Sequence, residues 1–211
     1  MRYRYGNLPA DRVFGEHGLR VTRIHRTLRD VCVFDGLAAG VVALDSARRT
    51  WPDASIEAWS DGMLAGPRFK GAAVVREAIA LSIPNSGSVW ETRARLLLQS
   101  IPGVNSVVAQ ARFVDAGTGE VFYVDFLING WLILEVDGDV KYDGVTYGPT
   151  DDVIRAERRR EKSLQNTGKV VVRVTDPADV VGVVSDALVR FAHLAPAHLS
   201  PAPGAADQVA A

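Results

Sequence analysis

The chain has almost no cysteine: Cys32 is the single one among 211 residues. One thiol excludes an internal disulfide framework and a cysteine-rich zinc site. It lies in the apolar run Val31-Cys32-Val33-Phe34, where a free cysteine acts as a small core-filling hydrophobe. Histidine is equally sparse. His17, His25, His193 and His198 form no i, i+4 pair, which argues against a histidine-based metal site. An excess of one charge is also missing: 24 Lys and Arg stand against 25 Asp and Glu, for a formal net charge of −1. A nucleic-acid surface would therefore have to be a local patch. No segment approaches the roughly 20 apolar residues of a membrane span, and Met1-Arg2-Tyr3-Arg4-Tyr5 opens without an apolar signal region. The expectation is a soluble cytoplasmic protein that makes no use of a membrane.

Apolar residues make up 47% of the chain, enough for a packed core, and the length allows one ordinary domain plus a smaller partner. The pattern predicts short strands up to about residue 22, then a helix that Thr22 can cap, running through Asp30 and Val31. A second helix is expected over Leu37 to Arg49, facing inward through Val41, Val42, Leu44 and Ala47. Two more follow at about Ser55 to Leu64 and Gly71 to Ser82. Pro84-Asn85-Ser86-Gly87 marks a boundary. Beyond it, a helix is expected from Ser88 to about Ser100, then strands over Val107 to Val114 and Val121 to Ile128. The segment Asp115-Ala116-Gly117-Thr118-Gly119 joins the two strands as a hairpin. Trp131 to Val136 is almost continuously apolar, as in a central strand. A glycine-bearing loop, residues 137–151, leads to a charged helix over 152–166 that Gly168 ends. A buried strand (Lys169 to Val174) and a closing helix (Asp179 to Leu194) complete an α/β unit. The expected division is a mostly helical region over 1–84, an α/β domain over 85–195 and a disordered tail over 196–211.

Acidic side chains interrupt these apolar strands. Alternation sends Glu135 and Asp137 to one side of their strand, and Asp125 lies on the preceding one. A strict two-residue turn at Asn129-Gly130 would pair Asp125 with Leu134 and leave Glu135 on the opposite face. A loop one residue longer, or a bulge, would bring Asp125 and Glu135 together. Carboxylates that meet in an apolar setting repel, and a hard divalent ion, Mg²⁺ or Mn²⁺, resolves the repulsion. The plainer readings are that Asp137-Gly138 ends a strand and that Asp125 pairs with an arginine.

The run Ser88-x-x-Glu91-x-Arg93, Gln110, Asp125-Phe126, Leu134-Glu135-Val136-Asp137-Gly138 and, after Gly168, Val172-Arg173-Val174 resembles the DUF559/Vsr-like branch of the PD-(D/E)XK nuclease superfamily. The resemblance spans about residues 86–176. Segments Gly18 to Thr22, Arg26 to Asp30 and Ala43 to Ala47 are similar to the middle of AbiEi-like, antitoxin-related actinobacterial proteins. Those proteins often begin with a winged helix-turn-helix, and the resemblance implies that such a module would precede residue 1. It also implies a restriction-endonuclease-like C-terminal domain that cuts DNA, in which Asp125 and Glu135 hold the metal and activate water; Asp137, the third metal carboxylate expected from the strand spacing, replaces the superfamily's signature lysine, as is usual in this branch. Glu91 matches the acidic residue that completes such sites, although Ser88-x-x-Glu91 is equally a capping box. The branch normally has a histidine where this chain has Lys141. Lysine can stabilise phosphorane charge but is a weaker general acid or base near neutral pH. That departure leaves room for an inactive DNA-binding or antitoxin-like regulator that keeps the nuclease fold.

On the charged helix, Glu157 sits where the family places an inward acid. Arg155, Arg158, Arg159 and Lys162 form a basic stripe suited to phosphate contact, or simply a solvated face. Tyr142 and Tyr147 in the preceding loop could stack on a base. The N-terminal region is expected to brace the nuclease-like unit or to bind a second copy or another protein.

Overall fold

The computed structural model of the chain describes residues 8–115, 117–137, 162–164 and 166–194. The chain divides into two compact units, Met1–Val89 and Trp90–Ala211. The division falls a few residues after the Pro84–Gly87 break.

Among the described residues of the first unit, a 3₁₀ turn (Ala10–Arg12) leads into an antiparallel hairpin of β1 (Val13–Glu16) and β2 (Leu19–Thr22), with Glu16 opposite Leu19. Its two turn residues, His17 and Gly18, have φ of 47° and 78°. A two-residue turn with both φ positive matches the twist of paired strands. Four helices follow: α1 (Ile24–Asp35), α2 (Leu37–Thr50), α3 (Ile56–Leu64) and α4 (Ala72–Leu81). Thr22 does not cap α1. It ends β2, and its hydroxyl lies 2.7 Å from that of Thr27, while Arg23 takes the N-cap position without a side-chain cap. Helix α1 also runs four residues past Val31, to Asp35. Ser55 does cap its helix, accepting from the Ala58 N–H at 3.2 Å. Val41, Leu44 and Ala47 of α2 are buried as expected, whereas Val42 is only half-buried. A Cβ at Gly40 would fall 2.5 Å from Cys32 Sγ, so α1 and α2 cross closely there. Cys32 is 1% exposed, and burial pushes its thiol pKa up, consistent with a core role.

The second unit is built on a four-stranded sheet in the order β3 (Val107–Val114), β4 (Val121–Ile128), β5 (Leu132–Val136), β6 (Val170–Val174). The first three strands are antiparallel, and β6 runs parallel to β5. All five residues of β5 are buried, which explains its unbroken apolar run: both of its faces are covered. On one face, Ala94 and Leu98 of α5 (Val89–Leu98) and Val184 of α6 (Val180–Arg190) pack against Phe126, Leu132 and Leu134. On the other, Ile133 packs with Leu164, Ala111 and Val124. Each of the valine, leucine, isoleucine and phenylalanine side chains contributes about 1.5–3 kcal/mol through burial.

Residues 162–164 and 166 are helical, and Gly168 follows with φ 66°, so the charged helix ends where expected. The closing helix is shorter than expected. It stops at Arg190, and a 3₁₀ turn, Ala192–Leu194, follows. Most of the loop and charged helix (138–161) and the tail from 195 onward lie outside the described residues. No helix among the described residues is long and apolar enough to cross a membrane.

Candidate functional site

The site begins with an irregularity in the β3–β4 hairpin. Ala109 pairs with Phe126 and Ala111 with Val124, which sets Gln110 opposite Asp125. Gln110 has φ 50°, in the left-handed region that residues with a Cβ rarely enter. The packing changes sides at that point. Val107 and Ala109 join the cluster of Phe126 and Ile128, whereas Ala111 and Phe113 join that of Val124 and Phe122. Strict alternation would keep all of them on one face.

At this break the Gln110 side chain donates from Nε2 to Glu91 Oε2 at 2.8 Å and to Asp125 Oδ1 at 3.3 Å. An amide NH₂ carries two protons and ionised carboxylates only accept, so the chemistry fixes which end of the amide faces them. One neutral side chain thus joins the first turn of α5 to β4. Glu91 is 9% exposed, which makes an uncompensated charge there costly.

Between β4 and β5 the chain takes the longer of the two connections open to it. Ile128 pairs with Leu132, leaving the three residues Asn129-Gly130-Trp131 between them. Asn129 and Gly130 have φ of 50° and 74°. Asn129 Oδ1 accepts from the N–H groups of Asn105 at 2.8 Å and Ser106 at 3.1 Å, and its Nδ2 donates to the Gly103 carbonyl at 2.7 Å. These bonds hold the extra residue in place. The register Phe126–Leu134, continued by one residue, sets Asp125 opposite Glu135. There the Val136 N–H donates to Asp125 Oδ2 at 2.8 Å. Glu135 is 4% exposed and lies beside Arg173 in the parallel register with β6.

Asp137 behaves differently. β5 ends at Val136, the Asp137 N–H bonds the Val174 carbonyl at 2.9 Å, and its side chain is exposed. Among the described residues no group of three or more His, Cys, Asp or Glu side chains is placed to hold a metal ion. Neither Asp125, Glu135 and Asp137 nor Glu91, Asp125 and Glu135 are therefore gathered into one three-carboxylate set. The structure instead joins Asp125 to Glu91 through Gln110 and anchors it beside Glu135. Lys162 is exposed. Lys141, Arg155, Arg158 and Arg159 lie outside the described residues, as do Tyr142, Tyr147 and Glu157.

Gln110 stands in the motif run that carries the family resemblance, but no role for it could be read there. The signal lay in the hairpin, whose strand lengths set it opposite Asp125. A second acid on this hairpin, Asp115, is held by a set of hydrogen bonds. Asp115 accepts from the Ser163 hydroxyl at 2.6 Å, from the N–H groups of Thr118 and Gly117, and from the Thr118 hydroxyl. These bonds hold its carboxyl at a pKa of about 2 and tie the hairpin to helical residue 163. No protein-family model, curated protein or solved structure matches the chain.

Proposed function

We propose that the second unit is a restriction-endonuclease-like (PD-(D/E)XK, Vsr-like) domain that hydrolyses phosphodiester bonds in DNA with Mg²⁺ or Mn²⁺. The observation that carries this reading is the bridge from Glu91 through Gln110 to Asp125, set beside Glu135 at the end of a central strand. The order of elements supports it: a helix, three antiparallel strands, a helical segment, a strand parallel to the third, and a helix. The donor set suits a hard cation. Mg²⁺ commonly takes only one or two protein carboxylates, completing its shell with water and substrate phosphate, so three gathered acids are not required. Asp125 and Glu135 would hold the ion and Glu91 would complete the site. The ion, when bound, would polarise the scissile phosphate and lower the pKa of a bound water.

The chain's own contribution is orientation. Val136 N–H and Gln110 Nε2 each bond one oxygen of Asp125 and so fix the plane of its carboxylate. Lys141 is proposed to stabilise charge on the phosphate, and Arg155, Arg158, Arg159 and Lys162 to track the DNA backbone. The test is incubation with supercoiled plasmid and single-stranded DNA in Mg²⁺, Mn²⁺ or EDTA. Cleavage that needs the metal and is lost in Glu135→Gln supports the proposal. Intact DNA in both metals sinks it.

A second reading has its own support. The Gln110 amide already compensates Glu91 and Asp125 without any ion, as in an inactive regulator that keeps the fold and binds DNA. Salt-sensitive DNA binding without cleavage in Mn²⁺ would select this reading.

A further inference from the structure

The first unit contains a cavity of about 540 Å³, lined by residues ahead of β1, by α1 and by the segment after α3. Its charge is lopsided. Arg12, Arg26, Arg29, Arg68 and Lys70 line it, against the carboxylates of Asp11 and Asp30 alone. The carboxylates are already engaged: Arg26 Nε lies 2.9 Å from both oxygens of Asp30, and Arg12 Nε lies 3.4 Å from Asp11 Oδ2. Arg68 and Lys70 are exposed and make no ion pair or side-chain hydrogen bond among the described residues.

Two of the arginines are held rigidly. Arg12 donates to the carbonyls of Gly62 at 3.1 Å and Ala65 at 3.0 Å, and Arg29 to those of Met63 at 2.6 Å and Ala65. These are carbonyls at the C-terminal end of α3, which need donors. Capping explains where the two guanidiniums sit, but it uses only part of each five-donor fork. It also leaves their mutual repulsion in place. Burial depresses the Arg29 pKa and Arg12 and Arg26 depress it further, while Asp30 opposes them. Three guanidiniums line one cavity with two carboxylates, and with Arg68 and Lys70 the cations outnumber the acids, so a bound anion would balance them. Part of the wall is apolar: Val33, Phe34 (44% exposed) and Phe69, whose ring lies 4.0 Å from the Arg29 guanidinium carbon.

We infer that this cavity binds an organic phosphate of the nucleotide class, its phosphate on the arginines and its ring against Phe34 and Phe69. Planar guanidinium forks match phosphate oxygens bidentately, and Arg68 and Lys70 add charge at the rim. The volume lies within the roughly 300–1,000 Å³ of small-molecule sites. The ligand is either a free nucleotide or the phosphorylated end of a strand, since both present the same groups.

The full chain is titrated calorimetrically with adenosine monophosphate, adenosine, and a short single-stranded oligonucleotide with a 5′-phosphate or a 5′-hydroxyl. The variant Arg68→Glu/Lys70→Glu changes only exposed rim residues, and circular dichroism verifies its fold. Adenosine monophosphate is expected to bind saturably and at least about tenfold more tightly than adenosine, and the variant to lose about tenfold in affinity. The same phosphate dependence in the oligonucleotide identifies a strand end, and its restriction to the monophosphate identifies a free nucleotide; either supports the inference. Equal binding of adenosine, an unchanged variant, or no saturable binding of any phosphate at millimolar concentration overturns it.

Discussion

Val136 donates its backbone N–H to Asp125 Oδ2 at 2.8 Å, so the β4 side chain next to the last ladder pair, Phe126–Leu134, accepts a backbone hydrogen bond from β5 two residues past Leu134. The bond fixes Asp125 where the register sets it opposite Glu135. Structural and chemical roles of this carboxylate can therefore be separated. Asp125→Asn keeps an acceptor for Val136 and removes the charge, while its NH₂ replaces the oxygen that accepts from Gln110. Asp125→Ala leaves that N–H without its acceptor, at a cost of about 1–3 kcal/mol. In urea denaturation, Asp125→Asn, which loses the Gln110 bond but keeps that of Val136, is expected to lose less stability than Asp125→Ala, which loses both. Both are expected to lose metal-dependent cleavage. An Asp125→Asn variant that cuts DNA like the parent contradicts the proposed role.

Gln110 offers a complementary test. Gln110→Glu replaces two N–H donors with a third carboxylate facing Glu91 and Asp125. Like charges this close destabilise the folded state, here by about 1–3 kcal/mol in EDTA. A divalent ion that binds only the folded form restores stability by mass action. The thermal midpoint of Gln110→Glu is thus expected to rise more on adding Mn²⁺ than that of the parent. Equal responses would remove Gln110 from the account.

Sequence periodicity made the sheet readable because each strand carries its own apolar pattern. Trp131 to Val136 announced a strand covered on both faces, and the Asp115–Gly119 turn announced the hairpin before it. The site was harder to read. Whether Asp125 meets Glu135 or Leu134 depends on a single residue in the turn after Ile128. That choice is made by Asn129 bonding Gly103, Asn105 and Ser106, contacts some 23–26 residues away in the chain. The left-handed Gln110 left no trace in alternation, because the apolar residues on either side keep their spacing while changing faces. Asp137 looked like a partner of Glu135 because alternation was extended past the last ladder residue, Val136.

Asn129 therefore sets the register, and its replacement should separate two effects. Asn129→Gly keeps access to φ 50° and loses three side-chain hydrogen bonds. Asn129→Ala also strains the backbone, adding about 1 kcal/mol or more to a loss of about 1–3 kcal/mol. Chemical denaturation should rank the parent above Asn129→Gly and Asn129→Ala last. Equal stability of all three would show that Asn129 does not govern the turn.

Asp115 gives the fold a defined acid sensitivity. Its folded pKa, about 2, lies below the ordinary value of 3.8, because Ser163, Thr118 and Gly117 bond the ionised form. A depressed carboxyl contributes stability that is fully present above its unfolded pKa and is lost as pH falls through its folded one. The stability gap between the parent and Asp115→Asn is expected to be constant above about pH 4.5 and to shrink from about pH 4 to pH 2. Ser163→Ala should raise the Asp115 pKa and narrow that window, as read by carboxyl NMR titration. An Asp115 that titrates near 3.8 in the parent would contradict this assignment.

The most direct measurement is Mn²⁺ binding to the full chain, followed by electron paramagnetic resonance in the absence of DNA. The carboxylates of Asp125 and Glu135 are predicted to take up one Mn²⁺ per chain, with Asp125→Asn and Glu135→Gln each abolishing that uptake and Asp137→Asn weakening it less. Failure of the parent to bind Mn²⁺, or undiminished binding in both variants, would contradict a metal-dependent centre at this place in the sheet.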